Sequence, residues 1–285
     1  MKNVKKVIAV VLSAMFVMLC FAGCSSSSNV AEEITDETML IAYTAEKAPF
    51  LYTGEDGNLT GFDVELMGKI FNNIKYDYKN YKFVQVEEGY RIGEDAAYTD
   101  EDGNEYIAYV MVGGLEKNTG SFNKDHTFTK DIIDNRVIAV TANDSKISTY
   151  ADLGGTNAGV VSDTAKAALD KNSVIRDGMK SVKDYDDAAS AIADLKAGVI
   201  DVIIIDEFSF AVAEGADELN VLSNVLDTIS YVYAFEKWDW IEEAYNEAIY
   251  ELKSAEYNDA DEFTPIVEKY FGYNASNFDF EPKQN

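Results

Sequence analysis

The sequence contains few of the residues that most often carry catalysis or covalent cross-links. Its 285 residues include two cysteines, one histidine and three prolines. Cys20 lies in the apolar N-terminal stretch, so the folded part of the chain has no cysteine pair from which to form a disulfide. With His126 as the single histidine and no CxxC, P-loop or GxSxG motif, a Ser-His-Asp triad or multi-histidine metal site has little to build on. We therefore expect no catalytic residues, no metal and no cofactor.

Basic residues are also scarce, because 24 lysines and arginines face 51 acidic residues and give a formal net charge of −27. Such a charge repels phosphate groups, so nucleic acid is not an expected partner. The charge would attract cations, but an acidic, well-solvated surface that keeps a secreted protein soluble is the simpler explanation.

The N-terminus has the pattern of a secretory signal. MKNVKKVIAVVLSAMFVMLCFAGC has three early lysines, then an apolar run too short for a stable transmembrane helix, then small residues before Cys24. The FAGC ending resembles a bacterial lipobox, which implies a signal peptide over 1–23 and a lipid on Cys24; an ordinary signal peptide with an incidental cysteine is the alternative. The polar residues that follow predict a flexible tether over 24–37.

Strand-like and helix-like stretches alternate from Thr38 onward. MLIAYTA predicts a strand, FLYTGEDGNLTGF a hairpin, and DVELMGKIFNNI a helix capped by Asp63, whereas EEGYRIGEDAAYTDEDGNE predicts a loop or irregular insertion. A second run contains RVIAVTA, NAGVV, YDDAASAIADLKAG and VIDVIIID, the last of which is typical of a strand buried on both faces. This alternation predicts an α/β protein with parallel strands covered by helices.

The stretch GVVSDTAKAALD predicts a buried strand that turns directly into a helix, with Asp163 at the joint. Unpaired N–H groups at a helix start can hold a ligand's carboxylate or phosphate. Aspartate is also a preferred helix cap, worth about 1 kcal/mol, so Asp163 needs no ligand to explain it.

Three longer stretches resemble family 3 extracellular solute-binding proteins, the amino-acid receptors of ABC importers. They are AYTAEKAPFLYTGEDGNLTGFDVELMGKI, YDDAASAIADLKAGVIDVIIID and AYNEAIYELKSAEYNDADEFTPIVEKYFG, and HTFTKDIIDNRVIAV resembles the crossover segment of that family. The resemblance implies a two-lobed, periplasmic-binding-protein-like type II fold with two crossover strands and one ligand in the cleft. Lobe 1 would comprise 38–130 and 228–285, and lobe 2 would comprise 131–227.

The resemblance also assigns ligand contacts in the first lobe. Phe50, with Tyr43 nearby, would stack on the ligand, although a core position for Phe50 is an equal alternative. Gly114 belongs to the turn that would meet the ligand's amine, and Glu116 takes a slot that usually carries a small hydroxyl. The slot of the carboxylate-binding arginine falls at Ser121 or Phe122, so only lysines such as Lys117 or Lys124 could supply charge there.

In the second lobe, the resemblance places Asp163 and Thr164 at the carboxylate-binding turn and Asp206 where an acid pairs with the ligand's amine. Asp206 ends a central strand, where open α/β sheets contact ligands. Three carboxylates in one cleft are costly unless a cation enters or protons are taken up. This predicts a cationic or amine-rich ligand, or an amino acid held in an unusual way.

Taken with the N-terminus, the resemblance implies an extracytoplasmic, lipid-anchored monomer that closes on a small polar ligand and passes it to an ABC permease. Two other functions stay open. Some proteins of this fold are dehydratases, in which Glu116 or Asp163 would be a general acid. A sensory or surface-interaction module would bind a ligand without feeding a transporter.

Overall fold

The computed structural model describes residues 30–31, 33–74, 78–117, 125–237, 241–253 and 261–272. The predicted signal peptide, Cys24, Lys124 and the arginine slots at Ser121 and Phe122 lie outside these residues. Among the helices that are described, none has the length and apolar character needed to cross a bilayer.

Strands and helices alternate along the chain as the sequence predicts. The strands are β1 Thr38–Tyr43, β2 Tyr52–Thr53, β3 Leu59–Thr60, β4 Asn80–Gln85, β5 Ala96–Thr99, β6 Glu105–Ile107, β7 Val110–Glu116, β8 His126–Phe128, β9 Ile133–Ala142, β10 Asn157–Val161, β11 Ser181–Tyr185, β12 Val202–Asp206 and β13 Leu219–Glu236. The helices are α1 Phe62–Asn73, α2 Asp163–Lys171, α3 Ser173–Gly178, α4 Ala188–Lys196, α5 Glu207–Ala211, α6 Ile241–Lys253 and α7 Thr264–Phe271, with short 3-10 turns at Tyr150–Leu153 and Ala216–Glu218.

One nine-stranded sheet runs through the molecule in the order β11-β10-β12-β9-β13-β7-β1-β4, and β8 pairs with β13. Strand β1 is parallel to β4 and β7, and β10 is parallel to β11 and β12. The long strands β9 and β13 run antiparallel to each other between these two groups. The predicted α/β class is therefore confirmed. We call the part built on β1, β4 and β7 lobe 1 and the part built on β10, β11 and β12 lobe 2; the residue boundaries predicted for the lobes stay a prediction.

The two lobes have different cores. Lobe 1 is rich in buried aromatic rings, including Phe62, Tyr233 and Phe271, which pack between the sheet and helices α1, α6 and α7. Lobe 2 buries mainly alanine, valine, leucine and isoleucine on both faces of its sheet. Every residue of β12 is buried, as predicted for VIIID, so its last residue is held on a rigid element at the junction of the lobes.

Asp63 is not the cap of α1, contrary to the sequence prediction. The N-cap is Gly61, which makes no side-chain hydrogen bond, and Asp63 lies in the first helical turn. Its carboxylate accepts hydrogen bonds from the backbone N–H groups of Gly113 and Gly114. Since these donors lie in the interior, pairing them stabilises the fold more than capping a helix end that water can reach.

The insertion predicted as irregular contains an antiparallel hairpin, in which β5 pairs with β6. Asp100 closes its turn because Oδ1 accepts the backbone N–H of Asn104 over 2.8 Å and that of Asp102 over 3.0 Å. Aspartate commonly bonds to the backbone of its own turn, so the polar composition that suggested a loop is also compatible with a hairpin.

The chain already meets lobe 1 before β1. Val30 forms a parallel bridge with Tyr81 of β4, and the N–H of Ala31 donates to the carbonyl of Tyr81 over 2.8 Å. The structure thus places these two residues of the predicted tether against the outermost strand of lobe 1.

Candidate ligand-binding site

Asp206 is the centre of a hydrogen-bond network where β12 meets the two long strands. Its Oδ1 accepts the N–H of Ser209 over 3.0 Å and the amide of Asn135 over 3.1 Å. Its Oδ2 accepts the hydroxyls of Ser162 and Ser209, each over 2.9 Å. A carboxylate has about four acceptor positions, so this buried side chain is fully satisfied.

The position of Asp206 follows from its place in the sheet. It ends the buried strand β12 and is the N-cap of α5, so the strand and the helix start both fix its side chain. Asn135, from the crossover strand β9, also accepts the N–H of Phe208 over 3.2 Å. Asn135 therefore ties the start of α5 to β9.

Ser162 caps α2 in a backbone conformation that is unusual for a residue with a side chain. Its φ is 80° and its ψ 149°, and its hydroxyl accepts the N–H of Ala165 over 3.2 Å while donating to Asp206. Backbone strain of this kind persists where the surroundings hold it and is common at ligand sites. The cap is thus Ser162 and not Asp163, because the serine hydroxyl reaches the helix N–H and a carboxylate together.

Asp163 and Thr164 follow as the first two residues of α2. Asp163 is exposed and Thr164 is half-buried. Asp163 adds negative charge next to the Ser162 cap, but among the described residues no hydrogen bond of its side chain ties it to the Asp206 network.

Lobe 1 contributes a lysine that the sequence analysis did not select. The Nζ of Lys47 lies 3.1 Å from the carbonyl oxygen of Gly114 and 3.2 Å from Oε1 of Glu116. It also lies 5.6 Å from the ring centre of Phe50 and 5.2 Å from that of Tyr231, within the range of cation–π attraction. We call these four partners the ammonium cradle.

The carbonyl of Gly114 is held in place from behind. Asp63 Oδ2 accepts the N–H of Gly113 over 2.9 Å and that of Gly114 over 2.8 Å. Gly114 has φ +64°, and a Cβ there would come 2.6 Å from Cδ2 of Phe50, so only glycine fits. Burial raises the pKa of Asp63 to about 6, although its hydrogen bonds and Lys47 act in the opposite direction.

Tyr231 of β13 joins the two sides of the site. Burial raises its pKa above the usual value, and the charges of Glu116 and Asp206 raise it further, whereas a hydrogen bond with Asn135 lowers it. Two carboxylates from different lobes therefore act on this one phenol.

An aromatic cluster closes the base of the site. The ring centre of Phe50 lies 4.4 Å from that of Tyr231 and 5.3 Å from that of Phe271. Phe208, which α5 contributes from lobe 2, stacks on Tyr231 at 6.0 Å and lies 4.2 Å from Phe271. Phe50 is only 2% exposed and so belongs to the core of lobe 1 in this arrangement; its contact with a ligand stays a prediction.

The remaining predicted contacts lie around this centre. Tyr43 is half-buried at the end of β1, near Gly113. Lys117 follows β7, where its N–H donates to the carbonyl of Ser230 and its ammonium pairs with Asp131. The structure thus brings Phe50, Gly114 and Glu116 together around Lys47, whereas the ammonium of Lys117 is engaged elsewhere.

Sequence reasoning missed five residues of the site: Lys47, Asn135, Ser162, Phe208 and Tyr231. Lys47 lies in the stretch AYTAEKAPFLYTGEDGNLTGFDVELMGKI, three residues before Phe50, and Ser162 lies in GVVSDTAKAALD, next to Asp163, so attention to the polar neighbours of these two predicted residues could have found them. The other three give no local signal, because their role arises from pairing across β9, β13 and α5.

Two further features of the described residues concern possible metal sites and cavities. No group of three or more histidine, cysteine, aspartate or glutamate side chains in the described ranges could hold a metal ion. A cavity of about 460 Å³ lies on another side of lobe 1, between α1, β4 and α7, and includes none of the predicted site residues.

The sequence of the chain is similar to that of an amino-acid-binding protein. No protein-family model matches the chain. Over 206 residues it is 26% identical to the probable amino-acid-binding protein YxeM of Bacillus subtilis (strain 168). The aligned region covers 71% of this chain and 70% of that protein.

Two solved structures are similar in fold. The substrate-binding protein of a polar amino acid ABC uptake transporter from Streptococcus thermophilus has a TM-score of 0.62 at 21% identity, covering 84% of this chain and 87% of that one. The unliganded, open L-cystine solute receptor of Neisseria gonorrhoeae also has a TM-score of 0.62, at 17% identity, covering 83% of this chain and 94% of that one. The chain therefore has the two-lobed fold of the substrate-binding proteins. The predicted fold class and the resemblance to amino-acid receptors of ABC importers are confirmed.

Proposed function

We propose that the chain is an extracytoplasmic solute-binding lipoprotein of an ABC importer, with an amino acid or a related small polar amine as its ligand. The observation that carries this proposal is the position of Asp206, a buried carboxylate where both lobes and both crossover strands meet. The fold and the amino-acid-binding relative support the same function.

Asp206 can accept a ligand's amine although its acceptor positions are filled. Two of its four donors are the hydroxyls of Ser162 and Ser209, which rotate at little cost. A hydrogen bond from an ammonium to a carboxylate is about twice as strong as one from a neutral donor. An entering ammonium would therefore displace a hydroxyl, and the backbone N–H of Ser209 would keep the carboxylate in place.

Lobe closure would follow from the division of the site between the lobes. Ser162 and Asp206 belong to lobe 2, whereas Gly114 and Glu116 belong to lobe 1. A ligand that contacts both sets binds the closed arrangement more tightly, and this difference in affinity drives closure. The protein would then pass its ligand to a membrane permease as a monomer.

The experiment that tests the function is calorimetric titration of the full-length protein in detergent with amino acids, polyamines, sugars and divalent metals. Asp206→Asn removes the site charge. Asp187→Asn is the matched control, because Asp187 caps α4 with the same pair of bonds, from the N–H and hydroxyl of Ser190 over 2.8 and 2.9 Å. We expect amino acids to bind, Asp206→Asn to abolish binding and Asp187→Asn to preserve it.

Other outcomes would contradict the proposal. Steady conversion of the bound compound would indicate an enzyme on this scaffold, and the absence of binding by every compound would indicate an interaction module. For the anchor, Cys24→Ser should abolish labelling by a fatty-acid analogue and release the protein from the membrane fraction. Persistent labelling would exclude Cys24 as the attachment site.

A further inference from the structure

Lys47 fills a site in lobe 1 that has the features of an amine-binding site. Its ammonium is held by a carbonyl oxygen, a carboxylate and two aromatic faces, which together form the ammonium cradle. These groups attract any alkylammonium by hydrogen bonds, charge and cation–π attraction. The protein thus supplies its own cation at this place.

The charge of Lys47 decides which ligand groups are attracted to the cradle. An ammonium has three N–H donors, and among the described residues two of those of Lys47 are used by Gly114 and Glu116. The Lys47 side chain is 43% exposed, so a ligand can reach it. A second ammonium in the same place would be repelled by a like charge at short distance, whereas a carboxylate would be attracted.

The opposite side of the site carries the opposite charge. The Nζ of Lys47 lies 5.2 Å from the ring centre of Tyr231, and Phe208 of lobe 2 stacks on the same ring at 6.0 Å. The N–H of Phe208 donates to Asn135, whose amide donates to Asp206, so the Asp206 network meets Tyr231 from the side of lobe 2. Glu116 pairs with a cation of the protein itself, whereas the donors to Asp206 are neutral hydroxyl and N–H groups, so Asp206 is the carboxylate whose charge has no cationic partner in these contacts. The site therefore presents a cation from lobe 1 and an anion from lobe 2.

We propose that Lys47 is the specificity-determining residue of this site, which binds the ligand's carboxylate while Asp206 binds its amine. This inference rests on the proposed function and narrows the ligand to a zwitterion. It also favours a zwitterion over a purely cationic ligand, because Lys47 already pairs with Glu116 and would repel a second ammonium. Lys47 thereby supplies the charge that an arginine was expected to supply at Ser121 or Phe122.

Glu116 positions Lys47 and does not neutralise it permanently. Their atoms lie 3.2 Å apart with both side chains more than a third exposed, and exposed pairs of this kind are weak. A ligand carboxylate can therefore share or replace Glu116 without a large loss. The carbonyl of Gly114 keeps the ammonium in the site while this happens.

The test compares each amino acid with the amine obtained by removing its carboxylate, for example glutamine with 4-aminobutanamide and lysine with 1,5-diaminopentane. Full-length wild type is titrated beside Lys47→Met, Lys47→Gln and Lys47→Arg. The matched control is Lys79→Met, because Lys79 is also a lysine of lobe 1 paired with a glutamate, Glu37. All four substitutions lie on exposed or half-exposed side chains, so we expect the fold to be retained.

We expect wild type to bind its best amino acid about 100-fold more tightly than the matching amine, because a site built for a charged group rejects the analogue without it. Lys47→Met and Lys47→Gln should weaken amino-acid binding at least about tenfold. The same variants should strengthen amine binding, since the emptied cradle then accepts the ligand's own ammonium. Lys47→Arg and Lys79→Met should stay close to wild type.

Two outcomes overturn the inference and differ in what they leave standing. If wild type binds amine and amino acid equally, or Lys47→Met leaves amino-acid affinity unchanged, the role of Lys47 is refuted while the proposed function stands. If wild type binds neither class of compound, the proposed function fails and the inference fails with it.

Discussion

Tyr233 of β13 donates a hydrogen bond to Asp63 of α1, with 3.1 Å between the phenol oxygen and Oδ1. Both side chains are buried, and they are 170 residues apart in the chain. The same carboxylate holds the backbone of Gly113 and Gly114, so one acidic side chain fixes a helix, a crossover strand and the glycine turn of the site.

The burial of Asp63 predicts an unusual dependence of stability on pH. Its pKa is raised from 3.8 to about 6, so between these values the folded state keeps a proton that the unfolded chain has lost. This stabilisation is complete below about pH 4 and is lost as the pH rises to about 6, by up to about 1.4 kcal/mol for each pH unit. Urea unfolding measured from pH 4 to 7.5 should show that wild type loses stability relative to Asp63→Asn between about pH 4 and pH 6.

Asp152 is the control, because its contribution to stability should change with pH in the opposite direction. It is exposed, and hydrogen bonds from Ser148 and Thr149 lower its pKa, so its contribution is present at neutral pH and lost as the pH falls. The difference between wild type and Asp152→Asn should therefore shrink toward acid. A flat difference for Asp63→Asn across the whole range would refute its raised pKa.

Gly114→Ala should lower the free energy of unfolding more than an alanine at another glycine with a positive φ. A Cβ at Gly155, with φ +78°, would contact nothing within 4 Å, so Gly155→Ala reports the cost of the left-handed backbone, about 1 to 2 kcal/mol. Gly114→Ala adds the overlap with Phe50, for roughly another 1 to 3 kcal/mol. Denaturant unfolding measures both, and Phe50→Leu in the Gly114→Ala background should recover part of the excess. Equal losses at the two glycines would show that Phe50 moves aside freely.

At position 162, the glycine and alanine variants should differ in unfolding free energy by more than they do at an ordinary helix cap. Ser162→Gly and Ser162→Ala both remove the hydroxyl, but only alanine retains the strain at φ 80°, which costs about 1 to 3 kcal/mol. Asp187, a cap with φ −148°, gives the reference difference between its glycine and alanine variants. We expect the gap in unfolding free energy to be larger at position 162, and a gap no larger than at position 187 would mean that the backbone there is unstrained.

The contact that Phe208 makes between the lobes should affect the radius of gyration of the ligand-free protein. Phe208→Ala removes the ring that α5 of lobe 2 places against Tyr231 and Phe271 of lobe 1. Without that contact, we expect the ligand-free protein to open and its radius of gyration, measured by X-ray scattering, to increase. Phe210→Ala on the same helix is the control, because Phe210 packs within lobe 2 and its loss should lower stability without changing the radius. An unchanged radius for Phe208→Ala would contradict this role.

The sequence predicts those features that local pattern determines. The apolar run of β12 and the aspartate at its end carry their own signal, because a strand buried on both faces must be apolar and open α/β sheets contact ligands at the carboxyl ends of their strands. The cap of α1 was mispredicted because local preference favoured Asp63, whereas the N–H groups of two distant glycines pair with its carboxylate in the folded protein.

The ammonium cradle is beyond local prediction for the same reason. Lys47 meets Gly114 across 67 residues of sequence and Glu116 across 69, and Tyr231 arrives from a strand near the other end of the chain. Only the order of strands β1, β7 and β13 in the sheet brings these residues together.

Together with the lipid that we propose on Cys24, the bridge between Val30 and Tyr81 would limit how the molecule is oriented at a membrane. With a lipid on Cys24, as we propose, five residues separate the anchor from Val30, where the chain joins β4, and the six Cα–Cα steps between Cys24 and Val30 span at most about 20 Å when fully extended. Strand β4 is the outermost strand of lobe 1, so that edge of the sheet would stay close to the bilayer while the opposite edge, β11, points away. Lobe 1 would then be the stationary part of the receptor, and lobe 2 would carry out most of the movement when a ligand is captured.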